Sequence, residues 1–234
     1  SFKNRWWVNN MKKLVIFGNG QVADIMFSDF QKNDEYKVVA FCVDDKFQLK
    51  KKHLNIPLLP FSKLKKLFPI NDYFIFVAIS YSEMNKKRKD KYNQIKKMGY
   101  RFANFINSKL KIPNNVKIGE NVAILDTKCI QPFAKINNNV FIWNGTIIGH
   151  HSLIKSHSWV TSGANIGGNS IIGEQSFLGL NSTVGNMTKI GKNCFLGANS
   201  LITKNLSNNK VCINKDTEIF ELSTRDFIRL TKFK

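Results

Sequence analysis

From residue 112 onward an aliphatic side chain returns at every sixth position. Sixteen consecutive positions, from Ile112 through Ile148, Val160 and Leu178 to Ile202, are Ile, Val or Leu, and Asn208 ends the run. Two residues before each, from Thr146 to Ser200, stands a second column of Thr, Ser, Ala or Cys. Side chains on a strand alternate faces, so both columns point the same way, inward. Period six with paired inward positions does not make a helical stripe. It is the hexapeptide pattern of a parallel β-helix, and residues 112 to 205 give about five coils of three hexads each. Glycine often follows the aliphatic residue, as at Gly119, Gly149, Gly167 and Gly173. It reads there as the tight turn between short strands.

Residues 11 to 106 carry a different pattern. The runs "KKLVIFG", "YKVVAFCVDD", "YFIFVAIS" and "YRFANFI" have strand length. Between them "NGQVADIMFSDFQKN", "PFSKLKKLF" and "SEMNKKRKDKYNQIKKMG" read as helices. Alternation of this kind predicts a small parallel α/β unit, Rossmann-like in its first turn. Residues 1–10, "SFKNRWWVNN", read as an N-terminal extension with Trp6 and Trp7 unplaced. The domains expected are therefore the extension at 1–10, the α/β unit at 11–106, the β-helix at 107–205 and a tail at 206–234. The tail reads as an extended piece and a short helix begun by Ser223 or Thr224. Its expected work is to cap the open end of the coil stack.

Two places suggest chemistry. "GNGQVA" fits GxGxxA between the first strand and helix, with Asp44 about twenty residues later. Its amides suit a phosphate at a helix N-terminus. The same turn also suits plain packing of helix on strand. The second place is "IIGHHS". In the register of the repeat Ile148 points in, Gly149 turns, and His150 and His151 stand outside before Ser152 turns in again. One coil beyond His150 lies Gly168, about 4.8 Å away at strand spacing. An imidazole beneath an open backbone N–H suits acyl transfer: the histidine takes a proton from the attacking group, and the N–H holds the oxyanion.

Composition narrows the field. Lys and Arg number 36 against 16 Asp and Glu, for a formal charge of +20. That favours polyanionic partners, or it is a compositional bias toward Lys and Asn. The lysine runs are not interleaved with aromatics as a base-stacking surface would be, so nucleic acid is not expected as a partner. The four cysteines form no CxxC pair, which fits a reducing cytoplasm. The longest apolar run falls short of the roughly 18 residues of a membrane span, and no secretory signal is visible.

The segment "GTIIGHHSLIKSHSWVTSGANIGGNSIIGEQSFLGLNSTVGNMTKIGKNCFLGANSLI" resembles the left-handed β-helix sugar acyltransferases, among them bacterial sialic acid O-acetyltransferases and bacillosamine-type nucleotide-sugar N-acetyltransferases. The resemblance spans nearly the whole chain from Met11. It implies His150 as general base, followed by His151 where many members carry Glu or Asp. It implies Gly168 as the backbone donor to the thioester carbonyl, and Gly163, Ala164, Gly179 and Gly197 along the groove for acetyl-CoA. A nucleotide-linked amino sugar would lie on Gly18, Asn19, Gly20, Gln21, Asp44, Asp45, Ser80 and Tyr81. Homotrimers with active sites between subunits are implied, with no metal. The activity so implied is N-acetylation of a nucleotide-linked deoxy amino sugar in surface glycan biosynthesis. The alternative is O-acetylation at a sugar hydroxyl. Two other classes are a zinc site on His150, His151 and His157, and a non-catalytic basic binding module.

Overall fold

A computed structural model describes residues 11–231, so the extension with Trp6 and Trp7 lies outside the described residues. The first unit is the α/β one. Its elements are β1 (Lys12–Phe17), α1 (Gln21–Phe30), β2 (Tyr36–Val43), β3 (Lys52–His53), β4 (Ile56–Pro60), α2 (Leu64–Leu67), β5 (Tyr73–Val77), α3 (Lys86–Lys97) and β6 (Arg101–Phe102). The sheet order is β3-β4-β2-β1-β5-β6. Every pairing is parallel except the β3–β4 hairpin. Leu14 to Phe17 of β1 and Ile75 to Val77 of β5 are buried, as continuous apolar runs in a sheet covered on both faces should be. The hairpin was not expected, because "IPLLP" carries Pro57 and Pro60, which lower the strand signal. Leu54 and Asn55 turn it with positive φ.

The expected strand over 100–106 is two strands. Arg101–Phe102 completes the α/β sheet beside β5. Phe105–Ile106, β7, pairs instead with Ala123–Ile124 and is the first rung of the coil stack. Ile106 is in phase with the ladder, six residues before Ile112, so the β-helix begins inside the stretch assigned to the front unit.

The second unit is a left-handed parallel β-helix. Two-residue strands follow one another from β8 (Lys117–Ile118) to β23 (Val211–Cys212) and stack into three parallel sheets. Ile142 pairs with Val160 and Val160 with Leu178, one coil of 18 residues per rung. The aliphatic column forms one continuous core. The small column is buried too, from Thr146 and Ser152 to Ser200. Its hydroxyls donate to coil carbonyls, as Ser170 does to Gly185 at 2.7 Å and Ser158 to Lys155 at 2.8 Å. Most of the buried hydroxyls are thereby satisfied, and Ser182 Oγ is the exception in the column.

Two expectations about this unit need correcting. The glycines that follow the aliphatic residue do not hold positive φ. The third residue of each turn does, and it is most often Asn, as at Asn121, Asn139, Asn169 and Asn181. Asn tolerates the left-handed region better than other side chains do. The glycines answer a different need: a Cβ on Gly149 would lie 2.5 Å from the Gly168 nitrogen of the next coil. The stack also does not stop at Leu206. Leu206 bridges Ile190, and Val211–Cys212 pairs with Phe195–Leu196 across a shortened coil.

The tail departs from its expected role. Helix α4 (Thr224–Thr231) starts at Ser223, whose Oγ accepts the Asp226 N–H at 3.3 Å. Every described residue from 213 to 231 is exposed, so in the single chain the tail does not cap the stack.

The α/β unit docks on one face of the prism, the seven-stranded sheet. Phe30, Phe76 and Phe105 share a core with Phe141, Trp159 and Phe177. Arg88 of α3 is fully buried at this seam. It donates to the carbonyl oxygens of Asn139 at 2.6 Å and His157 at 3.0 Å, and lies over the rings of Phe141 and Trp159. Among the described residues no carboxylate pairs with it, and burial pushes its pKa down to about 9.

Candidate functional site

The prism has three corners per coil. His150 and His151 occupy the turn between Ile147–Ile148 and Leu153–Ile154. Those strands belong to the two five-stranded faces. This corner is therefore opposite the face that carries the α/β unit. Both histidines are exposed, as the register required.

The imidazole of His150 rises along the stack into a gap left by glycine. A Cβ on Gly168 would lie 2.7 Å from His150 Nε2 and 2.8 Å from Cε1. The ring occupies the volume that any side chain at 168 would need. The His150 backbone is fixed from both sides: its N–H donates to Gln131 Oε1 at 2.8 Å, and its carbonyl accepts the Asn169 N–H at 2.8 Å.

His151 is held in the left-handed region, with φ of 56°. Its ring stacks on Phe133, one coil back, at 4.7 Å between centroids and 27° between planes. The two Nδ1 atoms lie 3.2 Å apart. One must donate and the other accept. When His150 is the donor, its Nε2 carries the lone pair, and the face of the ring lies against Gly168. His151 thereby holds the His150 ring through a side-chain hydrogen bond.

The amide expected to be open is not. The Gly168 N–H donates to Asn186 Oδ1 at 2.8 Å. Glycine at 168 makes room for the imidazole, but its donor is already engaged.

The other residues expected in an acyl-donor groove do not gather here. Ala164 belongs to the inward column and is fully buried, so it touches no groove. Gly163, Gly179 and Gly197 lie on a different corner of the prism. Gly163 holds φ of 73°, and a Cβ on Gly179 would meet the Gly197 backbone at 2.6 Å.

The α/β unit contains a cleft of about 610 Å³ at the C-terminal ends of β1, β2 and β5. Gly18, Asn19, Gly20, Gln21, Asp44 and Ser80 line it, as the sequence predicts. Gly18 must be glycine: its φ is 130°, and a Cβ would lie 2.6 Å from the Ala78 oxygen. Asp45 and Tyr81 are not in the cleft. Asp45 accepts the Ser62 N–H at 3.0 Å, and hydrogen bonding from the Ser62 hydroxyl, then from this N–H, holds its carboxyl below the usual range. Tyr81 packs on Phe177 and Trp159 of the β-helix.

One wall was missed. Helix α3 contributes Lys87, Asp90, Lys91 and Gln94 to the cleft. Lys91 Nζ lies 2.5 Å from Asp44 and 2.7 Å from Gln94, with the Phe61 ring centroid at 3.9 Å. The sequence signal was the helical spacing of Lys87, Lys91 and Gln94 within "NKKRKDKYNQIKK", hidden because a lysine run reads as a solvated face.

The remaining histidines are placed elsewhere. His53 pairs with Asp24 at 2.5 Å. His157 lies on the third corner, buried under α3, and its Nδ1 accepts from Asn139 Nδ2 at 2.8 Å. Burial first, then the Arg88 and Lys89 charges, push its pKa down to about 4. His150, His151 and His157 therefore do not converge on one ion within one chain. Among the described residues no group of three or more metal-ligating side chains comes together, and no helix is long and apolar enough to cross a membrane.

A left-handed β-helix with an attached α/β unit and a corner histidine places the chain among proteins of hexapeptide-repeat architecture. The family model for the GMPPB C-terminal domain matches residues 118–225, which lie mainly in the coil stack. No curated protein matches the chain in sequence. Among solved structures, the acetyltransferase domain of PglB from Neisseria gonorrhoeae superposes with a TM-score of 0.76 at 17% identity, over 86% of this chain and 95% of that one. PerB from Caulobacter crescentus, solved with CoA and GDP-perosamine, superposes with a TM-score of 0.75 at 22% identity, over 85% of this chain and 92% of that one. These likenesses cover both units and establish the fold.

Proposed function

We propose that the protein is an acetyl-CoA-dependent N-acetyltransferase acting on the amino group of a nucleotide-linked deoxy amino sugar. The observation that carries this reading is the outward imidazole of His150, seated in the glycine gap at 168. His150 takes a proton from the sugar amine as its nitrogen attacks the thioester carbonyl, and returns it to the departing thiolate. A positioned general base is worth about 10²- to 10⁴-fold. The cleft between α1 and α3 takes the nucleotide: its phosphates lie at the N-terminus of α1, with Lys46, Lys87 and Lys91 in the wall. The CoA and GDP-perosamine bound by PerB, a protein of the same fold, support the assignment.

The cleft and His150 of one chain lie on opposite sides of the prism. A nucleotide sugar in the cleft therefore meets His150 of another copy, and the working form is a homotrimer with sites between subunits. The four free cysteines fit a cytoplasmic enzyme.

The test is incubation of acetyl-CoA with UDP-, dTDP- and GDP-linked 3-amino and 4-amino sugars, with free thiol as readout. His150→Ala is expected to lower kcat/KM about 10²- to 10⁴-fold without unfolding the protein. Undiminished turnover in that variant would overturn the mechanism. Mixed trimers of His150→Ala and a cleft-blocking Gly18→Trp chain are expected to regain activity that neither shows alone. Absence of such complementation would place both halves of the site in one chain.

A further inference from the structure

At the His150 corner the second turn residues of four successive coils are Pro132, His150, Gly168 and Asn186. Two side chains use the space that glycine leaves empty. His150 enters from below, with Nε2 2.7 Å from where a Gly168 Cβ would sit. Asn186 enters from above, with Oδ1 2.8 Å from the Gly168 nitrogen and 2.6 Å from where a Gly167 Cβ would sit. The imidazole and the carboxamide thus flank one turn, Gly167–Gly168, from the coils on either side.

The orientation of the carboxamide is fixed by chemistry. The Gly168 N–H is a donor, so the oxygen of Asn186 must face it. The Nδ2 group then points away from that amide, and it has no partner among the described residues of the chain. Asn186 itself is exposed. An amide donor held by its own oxygen, on the turn that the imidazole packs against, is preorganised for negative charge that develops on a substrate.

We propose that Asn186 Nδ2, rather than the Gly168 N–H, donates to the oxyanion of the tetrahedral intermediate. This rests on the acyl-transfer reading above. The amine nitrogen bonds to the thioester carbonyl carbon, the C=O electron pair moves to oxygen, and His150 takes the amine proton. Asn186 Nδ2 stabilises that oxygen. The pair then returns, the C–S bond breaks, and the thiolate of CoA receives the proton from His150. The Gly168 N–H serves as the anchor that aims the carboxamide.

Carboxamide-to-amide bonds between coils also occur away from the His150 corner. Asn138 Oδ1 accepts from the Glu120 N–H at 3.1 Å, and Asn208 Oδ1 from the Lys192 N–H at 2.9 Å. A purely structural bond of that kind makes a different prediction. Asn186→Asp keeps an oxygen for the Gly168 N–H and removes only the donor. Asn186→Ala removes both and leaves the Gly168 amide free. With Asn186 as oxyanion donor, both variants keep the native melting temperature within a few degrees and lose about 10²- to 10³-fold in kcat, with KM little changed. If Asp retains kcat within threefold, or Ala matches or exceeds the unaltered protein, the proposal fails and the freed Gly168 amide is the donor. Loss in His150→Ala with retention in Asn186→Asp would sink this assignment and leave the acyltransferase reading standing. A second readout needs no sugar: ¹⁵N-labelled protein is titrated with acetyl-CoA. The side-chain amide of Asn186 is expected to shift while the Gly168 backbone amide holds its position. A shift at Gly168 alone, or at neither group, overturns the proposal.

Discussion

His150 and His157 leave the same repeat at adjacent corners, one strand apart, yet their surroundings are opposite. The first is exposed, and its ring stands in a gap made by a glycine one coil away. The second lies beneath helix α3, against Arg88 and Asn139, with its pKa pushed down to about 4. The two turns are alike, since His151 and His157 both hold the third turn position at φ of 56° and 66°, but His150 stands at the second position and His157 at the third. The coil fixes where an imidazole emerges. What stacks above it or packs over it decides whether it can exchange a proton with a ligand. The first corner is left open to solvent; the second is sealed as part of the seam between the two units.

Glycines offer the sharpest way to separate scaffold from site. Gly173→Ala places a Cβ against the Gly191 carbonyl, closer than non-bonded atoms come. Backbone on backbone cannot swing aside, so the stack itself must open. A loss of about 4 kcal/mol is expected, read as a large fall in melting temperature. Gly168→Ala places its Cβ 2.7 Å from His150 Nε2, and a surface side chain can rotate away. That variant should stay folded and lose about 10²-fold in turnover, because the base is misplaced by an ångström or more. Equal thermal losses in the two variants would erase the distinction between the corners.

The sealed corner has its own signature in pH. His157 titrates near 6.5 when unfolded and near 4 when folded. Its folded value is depressed, so the unfolded chain binds more protons between those limits, and stability rises with pH through that window. The contribution is complete above about pH 6.5 and is lost as pH falls toward 4, a change of about 3 kcal/mol at most. Urea midpoints measured from pH 7 to pH 4 should fall more steeply for the unaltered protein than for His157→Gln. Parallel curves would mean that His157 is not sealed.

The ladder from Ile112 to Ile202 was legible because the period of six leaves one inward phase. The outward placement of His150 followed from that phase alone. The reason for the glycines was not legible in one hexad: Gly149 and Gly173 are required by atoms a full coil away, and only the stacked structure shows that contact. Asn186 escaped notice for the same reason, since it lies two coils beyond His150 and meets it only through the Gly168 turn between them. Ile106 was misassigned because "YRFANFI" is a plausible strand as a whole, and the break at Ala103 and Asn104 leaves no mark in composition. Tyr81 resembled a cleft residue by its place after β5, but its ring finds Phe177 and Trp159 instead. The tail's helix start at Ser223 was readable, but what the helix rests against is not a local property.

The smallest expected effect concerns helix α3, which faces the β-helix on one side and the cleft on the other. Arg88 and Lys91 lie three residues apart on one helix, and both are buried. Arg88 faces the β-helix and donates to carbonyl oxygens, so it belongs to the seam. Lys91 faces the cleft, held by Asp44 and Gln94 over the Phe61 ring. A diphosphate entering the cleft meets an ammonium group already in place, which saves the entropy of ordering a long side chain. Lys91→Met should therefore weaken nucleotide binding about tenfold, by 1.4 kcal/mol, and flatten its dependence on salt. Titration calorimetry with UDP, dTDP and GDP at two ionic strengths reads both effects. Affinity that is unchanged in Lys91→Met would make this lysine a second seam residue, and the nucleotide would then have to be held by the α1 turn alone.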